Sequence, residues 1–380
     1  MKKSALLILG LTAALFSACD KKSADTILIG EFASLTGKEA TFGISSHEGT
    51  ELAVEELNAA GGVLGKKIKL ATEDNQSKPG ESANAVNKLI AKDGAVAILG
   101  EVASSRSLEA APICQESGVP MISPSSTNPK VTNDPPKPRD FIFRVCFIDP
   151  FQGTVMANFA KKTLKAQKIA IFTDVKSDYS KGLAKFFKEA FLAGGGQIVQ
   201  ELDFNGGDKD FKGQLTSIKG ANPEGVFVPG YYTDAALICI QAKEVGLTVP
   251  FFGGDGWESE KLTEIGKEAV EGTYFSTHYS PDAGGPKGAA FVAAYKKRFN
   301  GKLPDAMAAL GYDSAMILAD AMKRAGVTDG TKVRDALAAT KDYEAVTGKI
   351  TINGKRDAEK SAVILQVKGG KFAYVETIAP

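Results

Sequence analysis

Several hydroxyl side chains are grouped in a way that suits an anion. The stretch "PMISPSSTNP", residues 120–129, leaves an apolar pair and then presents Ser123, Ser125, Ser126 and Thr127 between prolines. Earlier, "GEVASSRSLEAAPI" sets Ser104 and Ser105 just before a helical pattern from Ser107, so hydroxyls and helix-start amides come together. Such groups suit a carboxylate, because a charge leaving water is costly unless several donors replace its hydration. A lone acid, Asp255, stands in the glycine-rich "FGGDGWE" and suits an ammonium group. Tyr179 in "SDYSKGLAKFF" and Tyr231 in "PGYYTDAA" offer rings that could close over an apolar or cationic part. Together these groups match the three faces of a free amino acid. Taken singly, each has an ordinary explanation: Ser and Thr at helix starts are usually caps, glycine-flanked Asp is often a turn residue, and Tyr is often core. Their shared position at the ends of strands argues for a site.

The elements that would place them alternate strictly. Strand-like "TILIGEFA" precedes a helical "GISSHEGTELAVEELNAAGG", stopped by Gly61 and Gly62, and then "KKIKLATED", "PGESANAVNKLIAKDG", "AVAILG", "SRSLEAAPICQESG" and "VPMISP" follow in turn. A second series begins after "FIFRVCFIDP" and runs to "PFFGGD". Alternation of this kind predicts βαβ units on parallel sheets, hence two doubly wound α/β domains. The last third is more mixed, with an extended "GTYFSTHYSP", helical periodicity from Lys287, and hairpins around Asn353-Gly354 and Gly369-Gly370. In doubly wound sheets ligands sit beyond the carboxyl ends of strands. Those ends carry hydroxyls and amides in the first series (residues 33–36, 101–105 and 123–127). In the second they carry Asp174 with Tyr179, then residues 230–232, then residues 254–257. The expected division is residues 26–146 with 278–346 in one lobe, and 147–277 with 347–380 in the other. Crossings are expected near residues 146–150, 276–278 and 347–352.

The chain begins with Lys2, Lys3 and the apolar "SALLILGLTAALFSA", too short for a permanent span but fitting an export signal over residues 1–18. Cys19 follows Ser17 and Ala18, which resembles a lipobox with Phe16 where Leu is usual. Lipidation of Cys19 is the expectation, with residues 19–25 as a tether; ordinary cleavage near Ala18 is the alternative. The expected location is therefore extracytoplasmic, with the membrane reached through the lipid. Charge is balanced, 46 basic against 45 acidic residues, and no basic stripe appears, so nucleic acid is a poor partner. Cys114, Cys146 and Cys239 remain, an odd number that leaves at least one thiol unpaired, and buried free thiols are expected. The two histidines, His47 and His278, lack ligand-like spacing, and structural or solvent-facing roles are expected for them. There is no G-x-S-x-G elbow, and "GGVLGKK" lacks the P-loop spacing and hydroxyl. Neither catalysis nor a metal or cofactor is expected.

On "IGEFASLTGKEATFG", "ELAVEELNAAGGVLGKKIKL", "GEVASSRSLEAAPI", "PMISPSSTNP", "SDYSKGLAKFF", "PGYYTDAA" and "GGDGW", the chain resembles the periplasmic leucine/isoleucine/valine-binding proteins from about Ile27 to near the C-terminus. These are the receptor components of branched-chain amino acid ABC transporters. The resemblance implies a type I periplasmic binding protein fold: two doubly wound α/β domains joined by a three-segment hinge. It also implies a monomer that captures a free amino acid between closing lobes and hands it to a membrane permease. Carried over residue by residue, Ser104 and Thr127 face the ligand's α-carboxylate, and Ser125 offers its carbonyl to the α-ammonium. Ser105 and Ser126 lie in the same two loops. Tyr179 and Tyr231 match the second-domain aromatics, and Phe42 matches an aromatic wall of the side-chain pocket. The family's ammonium-binding acid is commonly Glu, whereas Asp255 stands here, one methylene shorter. Asn75 and Ala103 occupy the places of a disulfide that some members carry. Other classes share the fold: a sensing receptor or regulator for an amide, a peptide or an aromatic compound, and an α/β enzyme.

Overall fold

The computed structural model describes residues 26–137, 139–283 and 285–380. The export signal, Cys19 and the whole tether therefore lie outside the described residues. Five strands carrying mainly Ile and Leu as their apolar residues build the first sheet: β1 (Thr26–Ala33), β2 (Lys67–Asp74), β3 (Ala97–Leu99), β4 (Met121–Ser123) and β5 (Ile142–Arg144). All pair in parallel, in the order β2-β1-β3-β4-β5. The second sheet takes β6 (Lys168–Asp174), β7 (Gln197–Phe204), β8 (Gly225–Val228), β9 (Phe251–Gly253) and β10 (Tyr274–Thr277), again parallel. After β11 (Tyr343–Ala345), β12 (Gly348–Ile352) and β13 (Ala358–Glu359), which form a small sheet of their own, the chain returns as a hairpin. That hairpin is β14 (Ala362–Lys368) and β15 (Lys371–Ile378), turning at Gly369 and Gly370, both at positive φ. It extends the second sheet to β15-β14-β10-β9-β8-β6-β7.

Helices cover both sheets and carry local signals that explain their ends. Asp305 caps the helix Ala306–Ala325 by accepting from the Ala308 amide at 2.9 Å, and Gly326 ends it at φ 69°. Ser177 caps Asp178–Ala193 through the Ser180 amide. The helices Ala40–Ala59 and Ala306–Ala325 meet almost backbone to backbone at Gly49 and Gly311. A Cβ on Gly49 would sit 1.9 Å from the Ala308 carbonyl oxygen, and one on Gly311 would sit 2.1 Å from that of Ser46.

One core joins the first sheet to the helices of residues 285–338 and includes Phe291, Tyr295, Leu310 and Leu318. Two others belong to the second sheet. The chain passes between the lobes three times: between β5 and the helix Asp149–Lys162, between β10 and the helix Gly285–Arg298, and between β13 and β14. The third passage falls later than the sequence suggested. Ile350, Ile352 and Ala358 are all buried in the first core, because the turn at residues 353–357 brings Ala358 back to pair with Ile352 before the chain leaves. Residues 347–359 therefore pack with the first lobe rather than the second.

Candidate functional site

Both sheets reverse their winding at a defined place. In the first the reversal lies between β1 and β3; in the second, between β6 and β8. Loops leaving neighbouring strands diverge there and open a crevice at the carboxyl ends. The two crevices face one another across the lobe junction. Phe42, Val102, Ser104, Ser125 and Met307 from one side, with Tyr179, Tyr231, Asp255 and Gly256 from the other, line a small recess.

Six of the nine residues expected from the sequence meet there: Phe42, Ser104, Ser125, Tyr179, Tyr231 and Asp255. The Ser104 hydroxyl accepts from the Asn128 amide at 3.2 Å and keeps its proton for another partner. Ser125 donates to the Val102 carbonyl at 2.9 Å. The Tyr179 hydroxyl accepts from the Gly256 amide at 3.1 Å. Burial, with the Asp255 carboxylate nearby, raises its phenol well above the ordinary value, so it stays protonated. The rings of Tyr179 and Tyr231 lie 5.3 Å apart, and Phe42 meets Tyr231 edge-on at 6.1 Å. A Cβ on Gly256 would strike the Gly230 carbonyl oxygen at 2.5 Å, so only glycine lets this loop approach the aromatic wall.

The other three residues do not line the recess. Ser105 points across the junction, where its hydroxyl donates to Asp178 Oδ2 at 2.9 Å and accepts from the Asp178 amide at 3.1 Å. The helix turns about 100° per residue, so Ser104 and its neighbour Ser105 cannot face the same way. Ser126 turns inward, donating to the Glu101 carbonyl at 2.9 Å and sharing a hydrogen bond with Ser107. Thr127 is fully buried within the loop. Its carbonyl accepts from the Asp149 amide at 3.0 Å, while its hydroxyl oxygen has no hydrogen-bond partner among the described residues.

Asp255 is held more firmly than the sequence suggested. Gln152 Nε2 donates to Oδ1 at 2.9 Å and also reaches Ser276 Oγ at 3.0 Å, while His278 Nε2 lies 2.9 Å from Oδ2. His278 is 1 % exposed and stacks on Phe147 at 3.8 Å. Burial lowers its pKa even against the pull of Asp255, so it acts as a neutral donor. Neither Gln152 nor His278 was among the expected site residues. The available clue was position: His278 follows β10, the strand beside the one that Asp255 follows. Beneath the first-lobe loop, Glu101 accepts from the Ser34 amide (2.8 Å), the Ser34 hydroxyl (2.6 Å) and the Ala103 amide (2.7 Å), tying the end of β1 to the end of β3. Burial pushes its carboxyl up to about 7.

The model of the family described as "Periplasmic binding protein" matches residues 26–371. The chain belongs to that family. Its members are solute-binding proteins, and the fold above is the two-lobed type I arrangement of the family. A leucine-, isoleucine-, valine-, threonine- and alanine-binding protein of Pseudomonas aeruginosa is 31% identical over 336 residues, 88% of each chain. Among solved structures, a leucine-binding protein of Thermotoga maritima is 43% identical with a TM-score of 0.89, covering 93% of this chain and 99% of that one. A branched-chain amino acid transporter substrate-binding protein of Streptococcus pneumoniae, solved with isoleucine, is 35% identical with a TM-score of 0.87 and covers 93% and 100%. No helix among the described residues of this periplasmic binding protein is long and apolar enough to cross a membrane. Its three described cysteines are free and buried.

Proposed function

We propose that this periplasmic binding protein is the exported substrate-binding component of an ABC importer, taking leucine, isoleucine or valine between its lobes and delivering it to a membrane permease. One observation carries the reading. A buried carboxylate, Asp255, fixed by Gln152 and His278, faces the hydroxyls of Ser104 and Ser125 across a recess walled by Phe42, Tyr179 and Tyr231. Acid for an ammonium, the free Ser104 proton for a carboxylate and rings for an aliphatic chain are set at one place. Thr127, in the same loop, adds a buried hydroxyl without a partner among the described residues. The fixed Asp255 offsets part of the reach lost relative to a Glu, because its orientation is set before ligand arrives. The names of the relatives agree in ligand class.

Cys19 carries the lipid in this reading, and residues 20–25 hold the folded part near the permease. A Cys19→Ala variant loses lipid labelling; an unchanged soluble species in both forms refutes the anchor. The ligand is tested by calorimetric titration of refolded, ligand-free protein against the common amino acids, with an amide, a dipeptide and an aromatic acid alongside. Binding of leucine, isoleucine or valine ahead of the rest supports the assignment. Binding of the amide, the dipeptide or the aromatic acid alone replaces it with a sensing-type receptor.

A further inference from the structure

Arg144, at the end of β5, is fully buried and spends its whole guanidinium on the loop of residues 123–128 and its surroundings. One terminal nitrogen donates to the Ser126 carbonyl. The other donates to the Asn128 carbonyl at 2.8 Å and to Thr132 Oγ1 at 2.8 Å. Its Nε lies 2.8 Å from Asp357 Oδ1, and Thr132 donates to that same oxygen at 2.6 Å. Cys146 Sγ adds a weak contact to the Ser126 carbonyl at 3.4 Å. Two carbonyls that flank Thr127 are thus pulled toward one cation. In a planar trans peptide the carbonyl of one residue and the N–H of the next point in opposite directions. Anchoring the Ser126 carbonyl on Arg144 therefore aims the Thr127 N–H away from the guanidinium, and among the described residues that N–H has no acceptor.

We infer that Arg144, oriented by Asp357 and Thr132, is a positioning residue for the carboxylate-binding loop: it sets the Thr127 peptide so that its N–H serves an anionic ligand group. The inference rests on the amino-acid reading of the recess. The rigid guanidinium fork is what the site needs, since a lysine ammonium at the same charge cannot span three separated oxygens in fixed directions. Asp357 lies in the turn just before the chain leaves β13 for the second lobe, so the clamp also ties this loop to the third crossing.

The test is a double-mutant cycle read by leucine titration. Arg144→Lys raises the leucine Kd about 30-fold, as expected for disturbing hydrogen bonds to a charged group. Added to Ser104→Ala, which removes the hydroxyl assigned to the same carboxylate and its contact with the Asn128 amide, it costs much less; added to Phe42→Ala it costs the full factor. A Kd within threefold of wild type, or equal cost in both backgrounds, overturns the inference. Should Arg144→Lys not fold, as judged by circular dichroism, Asp357→Asn leaves the guanidinium in place and removes its counter-charge. It then shows a smaller loss with the same non-additivity, and additivity is again fatal. If the wild-type chain binds no amino acid, the functional reading fails separately. The clamp is then judged by hydrogen exchange of residues 123–128 in the ligand-free chain, which must quicken in the variant; unchanged exchange overturns it.

Discussion

Asp255 and Phe42 should respond in different ways, because one faces a charge and the other a shape. Asp255→Ala leaves a ligand ammonium buried without its acid, which typically costs ~2–5 kcal/mol, or about 30-fold to several thousand-fold in affinity. The loss should be common to every amino acid bound. Phe42→Ala should instead reorder the panel, since one methylene in an apolar pocket is worth only ~1–3 kcal/mol. Titration of both variants against the same amino acids separates the two effects. If Asp255→Ala binds every ligand as well as wild type, the site assignment fails at its centre. A pH effect also belongs to single residues. Burial, with neither carboxyl oxygen hydrogen-bonded among the described residues, pushes the Asp149 carboxyl from an ordinary 3.8 up to about 8. A group whose folded pKa is raised contributes stability that is present below the unfolded value and lost as pH rises through the folded one. Asp149→Asn should therefore gain melting temperature relative to wild type as pH goes from about 4 to about 8. A difference between the two proteins that does not change with pH would refute this.

At the scale of elements, period and strand-end position made the two series of strands and helices legible, and with them the residues that converge. What period could not supply was rotation. Ser104 and Ser105 look equivalent in the sequence, yet one lines the recess and the other crosses to Asp178. Helix contact was equally hidden. Gly49 and Gly311 read as weak helix residues, whereas each lets a backbone approach the other's helix. Gly311→Ala should overpack that contact and destabilise the first lobe by ~1–3 kcal/mol. The check is a lowered melting temperature with leucine affinity kept within a few-fold at temperatures where the variant is folded. A melting temperature equal to wild type would mean that the helices can separate at little cost.

For the whole molecule, several hydrogen bonds join the lobes without passing through the recess. Ser105 meets Asp178 twice, Asn128 Nδ2 donates to the Asp178 carbonyl at 2.7 Å, and the Tyr232 hydroxyl donates to the Lys38 carbonyl at 2.8 Å. Glu258 accepts from the Ala306 amide at 2.9 Å. Such bonds favour the closed arrangement whatever ligand is bound, and a ligand touching both lobes shifts the same balance further. Asp178→Ala should weaken all ligands by a similar factor, roughly 5- to 30-fold, for the loss of the Ser105 bond to its carboxylate, worth ~1–2 kcal/mol. Changed ligand order in that variant would place Asp178 in the recess instead. X-ray scattering should show a smaller radius of gyration with saturating leucine than without it, and an unchanged radius would argue for a rigid receptor.

The sequence by itself determined what depends on neighbours along the chain: two alternating series, short apolar strands, hydroxyl loops and an acid at strand ends, and hairpins at Asn353-Gly354 and Gly369-Gly370. Tertiary structure decided what depends on residues distant in the chain. Gln152 and Asp255 are 103 positions apart, and His278 reaches the same carboxylate from another crossing. The third crossing moved past Ala358 because a three-stranded sheet, whose pairing no local pattern reports, buries Ile350 and Ile352 in the first core. Residue type and spacing specify which groups a strand end can offer. Strand order and helix rotation, set only when the cores pack, specify which of those groups face one another.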